Sequence, residues 1–380
     1  ALLRRTGVKG LALEGHRTTR PQKSIRTTGT TLNKRILKRA SHTTPLSNRP
    51  YIPEMTVPKS HPHPFRPFDA VMLDVGDGHW LYVEEVGRRD GVPAVYLHGG
   101  PGSGSQHAHR ALFDPNLNHA ILFDQRGAGR SHPYLCRDAN TTAHQIADIE
   151  RIREFHSIDR WIVTGGSWGS TLALAYAQAH PERVAALVLR AVFLGTAREV
   201  EWAFLKGPRI FRPELHQAFI EALPEAERGE PLAAYLRRLN DPDPKTHAPA
   251  AAIWSRYERA LSLLEPGDVQ LPALSDKPGR LPPTPLMEAH YIAKDFFLAP
   301  DELLNNADRL AGIPGVIVQG RYDLLCPPQS AHALCQRWPD CKLTILDHAG
   351  HDIAESGVRT ALQSAVSEFT ELMRMAKNRR

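Results

Sequence analysis

The sequence predicts an α/β fold: an open, mostly parallel sheet wrapped by helices, with a helical cap inserted. Three observations point there. Short β-branched apolar runs alternate with longer helical patterns over most of residues 70–190. The same alternation resumes from Val316. Between about residues 195 and 305 the strand signal disappears, and Ala, Leu, Glu, Arg and aromatics are punctuated by Pro-rich loops. The expected division is a core over 55–194 and 306–380, a cap over 195–305, and a tail over 1–54.

Taken in order, Val71–Val75 and Trp80–Val83 flank Gly76-Asp77-Gly78, a hairpin signal. Ala94–Leu97, Ala120–Phe123, Ile162–Thr164 and Leu187–Leu189 are continuous apolar runs, as expected of parallel strands buried on both faces. Helical patterns fall between them, around residues 143–156 and 169–180. Val316–Val318 and Leu343–Leu346 supply the last strands, and a helix closes the chain.

Composition narrows the function classes. At 380 residues and 42% hydrophobic content a sizeable core is possible, and no run approaches the ~18 apolar residues of a membrane span. Residues 1–54 carry 12 Lys/Arg against Glu14 and Glu54, whereas the rest is slightly acidic. Basic charge on a tail alone gives no case for nucleic acid as a partner of the folded body. That tail is expected to be disordered, a transit peptide, or upstream sequence not native to the protein, Met55 being the first methionine. Cys136, Cys326, Cys335 and Cys341 form no CxxC pair, so free thiols in a reducing, cytoplasmic setting are expected.

The chemistry is concentrated in Gly165-Gly166-Ser167-Trp168-Gly169, between the strand signal at 161–164 and a helix-forming run from Thr171. A G-x-S-x-G there reads as a sharp strand-to-helix turn that exposes a serine. A serine hydroxyl needs a base, and the base needs an acid to hold its tautomer. Asp323 in Gly320-Arg321-Tyr322-Asp323 and His351 in Ala349-Gly350-His351 each follow a late strand, in the order Ser, Asp, His. Asp347 and Asp352 are competing acids but flank the histidine in sequence, and His348 is a competing base closer to the strand end. An oxyanion needs preorganised donors. Trp168 supplies the amide after the nucleophile, and His98-Gly99-Gly100-Pro101-Gly102 supplies Gly99 or Gly100, with Gly100 preferred.

Together with Asp124-Gln125-Arg126-Gly127-Ala128-Gly129-Arg130-Ser131, these motifs resemble the signatures of proline iminopeptidases, serine peptidases of the α/β-hydrolase superfamily. The resemblance runs from about residue 65 to the C-terminus. It implies release of N-terminal proline from peptides through a prolyl-enzyme, without metal or other cofactor. The 124–131 loop reads as structural support. Ala252–Glu258 resembles the family's Trp-x-x-Trp-Glu helix with Tyr257 in place of the second Trp, and Glu288-Ala289-His290-Tyr291 resembles its Glu-x-His-Tyr segment. Carried over, Glu258 and Glu288 bind the imino group, and Phe193, Trp254 and Tyr291 wall the pyrrolidine ring. Ile292 stands where the family commonly has Phe. The alternatives are a carboxylesterase on the same scaffold and a non-catalytic binding protein.

Overall fold

The computed structural model describes residues 65–275 and 283–378; the basic tail expected over 1–54 lies outside them. Eight strands form one sheet: β1 (Pro67–Gly76), β2 (His79–Gly87), β3 (Val92–Leu97), β4 (Asn118–Phe123), β5 (Trp161–Ser167), β6 (Val184–Val192), β7 (Gly315–Gly320) and β8 (Cys341–Leu346). Their order is β1-β2-β4-β3-β5-β6-β7-β8. Only β2 runs against its neighbours. The expected turn joins β1 to β2, with Gly76, Asp77 and Gly78 all at positive φ.

Strand alternation fills two cores. Val95 and Leu97, Ile121 and Phe123, and Leu187 and Leu189 face one side. Ala94 and Tyr96, Ala120 and Leu122, and Ala186 and Val188 face the other. A strand buried on both faces cannot show polar alternation, so its sequence reads as one apolar run. The first face is covered by the almost wholly buried helix Trp168–Ala179. The second receives Val358, Leu362, Val366 and Phe369 of the C-terminal helix Val358–Asn378, a stripe at helical spacing.

Strand order reverses at β3, whose neighbours are β4 and β5. The chain leaves β3 and β5 in opposite directions, so their carboxyl ends open a crevice, the usual ligand position in such sheets. Between β6 and β7 the described residues form helices and loops only, the longest helix being Pro244–Leu261. Aromatic stacking holds this segment together: Phe219 lies 3.9 Å from Tyr257 and 4.1 Å from Tyr235, and Phe204 lies 4.0 Å from Trp254. No described helix is long and apolar enough to cross a membrane.

The loop after β4 is fixed by two ion pairs, the first of them buried on both sides. Arg126 donates from Nε and Nη2 to both oxygens of Asp148 at 2.7 and 2.8 Å, tying the loop to the helix Thr142–Phe155. Arg130 donates from Nε to Asp124 at 2.8 Å and lies over the Tyr82 ring. Removing one partner of a buried pair leaves the other charge uncompensated. Arg126→Ala should therefore lower unfolding free energy by about 3 kcal/mol. Urea unfolding checks this; a loss under about 1 kcal/mol, the scale of an exposed pair, would show that the loop does not depend on it.

Candidate active site

Ser167 ends β5 and caps the following helix with φ 58° and ψ −129°, a left-handed φ that L-residues rarely adopt. Its flanking glycines explain how the turn closes. A Cβ on Gly165 would strike the carbonyl of Gly169, and a Cβ on Gly169 would strike the carbonyl of Leu97 at the end of β3. Helix, β5 and β3 thus approach as backbone against backbone. Trp168 opens the helix, so its amide is one of those left without an intrahelical acceptor, at the positive end of the helix dipole.

Asp323 and His351 meet as the sequence suggested. His351 Nδ1 lies 3.0 and 2.9 Å from the two Asp323 oxygens. The carboxylate is buried and also accepts from the amides of Leu325 and Cys326 at 3.0 and 2.8 Å. The His351 and Asp352 amides donate to the Ser262 carbonyl, and Arg190 donates to the His351 carbonyl, so the histidine loop is clamped from two sides. Asp347 pairs with Arg321 and Asp352 with Arg259, which accounts for both competing acids. Ser167 and His351 line one open cavity of about 390 Å³, with no hydrogen bond between them.

The loop after β3 is oriented by His98. Its Nε2 accepts from the Gln125 amide at 3.0 Å, which leaves Nδ1 to donate to the Gly99 carbonyl at 2.9 Å. Burial pulls the His98 pKa down, consistent with this neutral ring. In a trans peptide the carbonyl and the next amide point oppositely. With the Gly99 carbonyl held on His98, the Gly100 N–H faces the other way, and Gly100 lines the cavity beside Ser167. Gly99 borders the larger cavity and packs against the elbow, where a Cβ would come within 3.5 Å of the Ser167 Cβ. Gln125 also accepts from the Trp168 indole at 2.9 Å, linking both amide-bearing segments.

A second, smaller cavity of about 50 Å³ opens at Ser167, walled by Phe193, Phe204, Phe296 and Ile292 with Glu258 and Glu288 at its edge. The two glutamates face each other across this edge, and the Trp254 indole donates to Glu288 at 2.7 Å. Burial pushes the Glu288 carboxyl well above the usual carboxylate range, and the neighbouring Glu258 raises it further. Burial raises Glu258 as well. Glu258 borders both cavities.

The aromatic wall differs from the expected one. Phe193 is on it, but Trp254 and Tyr291 stand behind it. Trp254 is turned to Glu288 and stacks on Phe204. Tyr291 is drawn to Asn140, to which its hydroxyl donates at 2.8 Å, and its ring packs 4.6 Å from Trp168. Phe204, Phe296 and Cys326 line the cavity unannounced by the sequence. Phe296 sits in a run of three left-handed residues, Asp295–Phe297, which no local pattern signals. Cys326 was within reach, since it lies three residues after Asp323 in the same loop. It lines the small cavity together with Ser167, and burial together with Asp323 and Glu199 pushes its thiol pKa well up.

Comparison with known proteins agrees with this geometry. A family model described as alpha/beta hydrolase fold matches residues 93–358. A proline iminopeptidase of Arabidopsis thaliana is 41% identical over 311 residues, covering 82% of this chain and 82% of that protein. One of Xylella fastidiosa is 44% identical over 304 residues, covering 80% and 97%. Among solved structures, a proline iminopeptidase of Mycobacterium smegmatis superposes with a TM-score of 0.51 at 17% identity, covering 80% of this chain and 100% of that one, a likeness of fold. The chain belongs to the α/β-hydrolase fold family and, within it, to the proline iminopeptidases.

Proposed function

We propose that the protein is a serine aminopeptidase that releases N-terminal proline from peptides, with Ser167 as nucleophile, His351 as base and Asp323 as the acid that orients it. The observation that carries this reading is the Glu258–Glu288 pair, Glu288 buried and Glu258 half-buried, beside a small apolar cavity at Ser167. An aminopeptidase must hold a free cationic amine, and a buried carboxylate is the means of doing so. An esterase has no use for such a pair, whose burial costs stability. Residues 195–305 act as the cap that brings these glutamates over the core, and four free thiols suit a cytoplasmic setting.

The reaction follows from the arrangement. Ser167 Oγ attacks the prolyl carbonyl carbon as His351 Nε2 takes its proton, and Asp323 stabilises the resulting imidazolium. The amides of Trp168 and Gly100 receive the oxyanion. Collapse breaks the bond to the second residue, whose nitrogen takes the proton from His351. Water, deprotonated by His351, then hydrolyses the prolyl ester and frees Ser167. The Ser167–His351 hydrogen bond is of a kind that often tightens only with substrate bound. Proline fills the small cavity, and the remaining peptide leaves through the larger one.

Turnover of a prolyl arylamide, an N-acetylprolyl arylamide and p-nitrophenyl acetate tests the reading. Only the first should be a good substrate, and Ser167→Ala should lower its kcat by at least about 10³-fold. Equal rates on both arylamides would remove the amine clamp, and preference for the acetate would make the protein an esterase.

The carboxylate pair generates two further expectations. Protonated, it cannot clamp an ammonium, so KM for the prolyl arylamide should rise as pH falls through the raised carboxyl range. Glu288→Gln should lower kcat/KM on the order of 100-fold, as expected for a lost charge-assisted bond. A flat KM profile from pH 5 to 8 would contradict this. Stability moves the opposite way. Because the folded state holds the Glu288 proton above the ordinary 4.5, wild-type stability falls as pH rises from that value through the raised folded pKa. Glu288→Gln removes this loss, so its Tm should exceed wild type at pH 8 and converge with it near pH 5. An equal or lower Tm at pH 8 counts against the pair's proposed electrostatics.

A further inference from the structure

A second cluster of chemistry-bearing side chains lies at the other end of the sheet. Glu85 is near the end of β2, and His119 is the second residue of β4, opposite Gly87 in the antiparallel register. His156 directly follows the helix Thr142–Phe155. These positions are at the amino end of the parallel strands, whereas Ser167 is at a carboxyl end, so the cluster takes no part in the proposed hydrolysis.

The three side chains converge within a buried space. His119 Nε2 lies 2.6 Å and His156 Nδ1 3.5 Å from the same Glu85 oxygen, Oε2. One donor atom from each residue lies within 4.8 Å of both others. All three side chains are under 10% exposed. The imidazoles stand edge to face, with Phe68 beside His119 and Phe155 beside His156. The other Glu85 oxygen is 3.8 Å from Arg89, which itself donates to Asp69 on β1 at 2.7 Å. Oε2 is thereby left to the histidines.

Hydrogen bonding does not account for this grouping. A Glu–His bond would satisfy Glu85 and His119 without a second ring. His156 makes no close bond that would explain its place: Nδ1, the nitrogen facing the cluster, approaches Glu85 only at 3.5 Å, and Nε2 is buried with no partner.

We propose that Glu85, His119 and His156 bind a divalent transition ion of the zinc class. Two imidazoles and one carboxylate suit Zn²⁺ and its neighbours, whereas Ca²⁺ and Mg²⁺ prefer all-oxygen sets. Bonds of about 2.0–2.2 Å place tetrahedral ligand atoms about 3.4 Å apart. The His156–Glu85 separation is already at that value, and the His119–Glu85 contact reaches it by opening somewhat under 1 Å as the ion replaces the shared proton. Water completes the fourth position. The ion joins the end of β2, the start of β4 and the end of a helix, so its effect is on stability.

The experiment is zinc titration of the full chain after EDTA treatment, by calorimetry and thermal unfolding, with cobalt as the spectroscopic probe. Wild type should bind one more tight equivalent than His119→Asn or Glu85→Gln, and zinc should raise the Tm of wild type but not of either variant. Cobalt should give wild type the intense visible bands of a four-coordinate nitrogen–oxygen site, reduced in both variants. Should the variants fail to fold, the wild-type cobalt spectrum decides alone: weak six-coordinate bands overturn the proposal. Equal zinc stoichiometry in wild type and folded variants, or no rise in wild-type Tm, overturns it as well.

Discussion

The approach of Gly169 to the Leu97 carbonyl is the contact on which the site depends, because it brings the elbow helix, β5 and β3 together with no side chain between them. Ser167 is held at positive φ by that closure, and two consequences follow. The Trp168 amide emerges at the helix start, and the Gly99–Gly100 peptide, anchored on His98, comes alongside it. The proposed nucleophile and oxyanion donors are therefore positioned by backbone packing, the least adjustable part of the molecule. The sheet's order reversal at β3 supplies the space above them. Side chains that reach this rim from later strands, Asp323 after β7 and His351 after β8, need only local hydrogen bonds to finish the arrangement.

Much of this was legible because its causes are local. Continuous apolar runs mark strands buried on two faces, and Gly76-Asp77-Gly78 marks the hairpin whose three residues have positive φ. A glycine-flanked serine between strand and helix has few structural uses other than an elbow. Asp323 and His351 were readable from their place after strand signals, and the carboxylate pair through family resemblance. The aromatic wall was not readable. Which face of a cap helix looks into the cavity depends on packing among Phe204, Phe219, Tyr235 and Trp254, residues spread over some fifty positions. Trp254 and Tyr291 carry polar tips as well as rings, and those tips decided their directions: toward Glu288 in one case and Asn140 in the other. Phe296 enters the wall through a left-handed turn whose sequence contains no glycine.

The carboxylate pair also offers a physical account of why an imino acid would be preferred. A protonated N-terminal proline is a secondary ammonium with two N–H donors, and in the proposed clamp Glu258 and Glu288 would present one carboxylate to each. A primary ammonium brings a third N–H into a cavity otherwise lined mostly by apolar side chains, Phe193, Phe204, Phe296 and Ile292 among them. An unsatisfied buried donor costs about 1–3 kcal/mol, or more when charged. The pyrrolidine ring contributes in the same direction, because it fills the small cavity with apolar surface and arrives with its rotation already frozen. Donor count and ring shape thus select together. Burial, which raises both carboxyls, and the neighbouring Glu258, which raises Glu288 further, would be offset by a bound cation, so on the proposed reading part of the cost of keeping two acids in an apolar site returns as discrimination between amines.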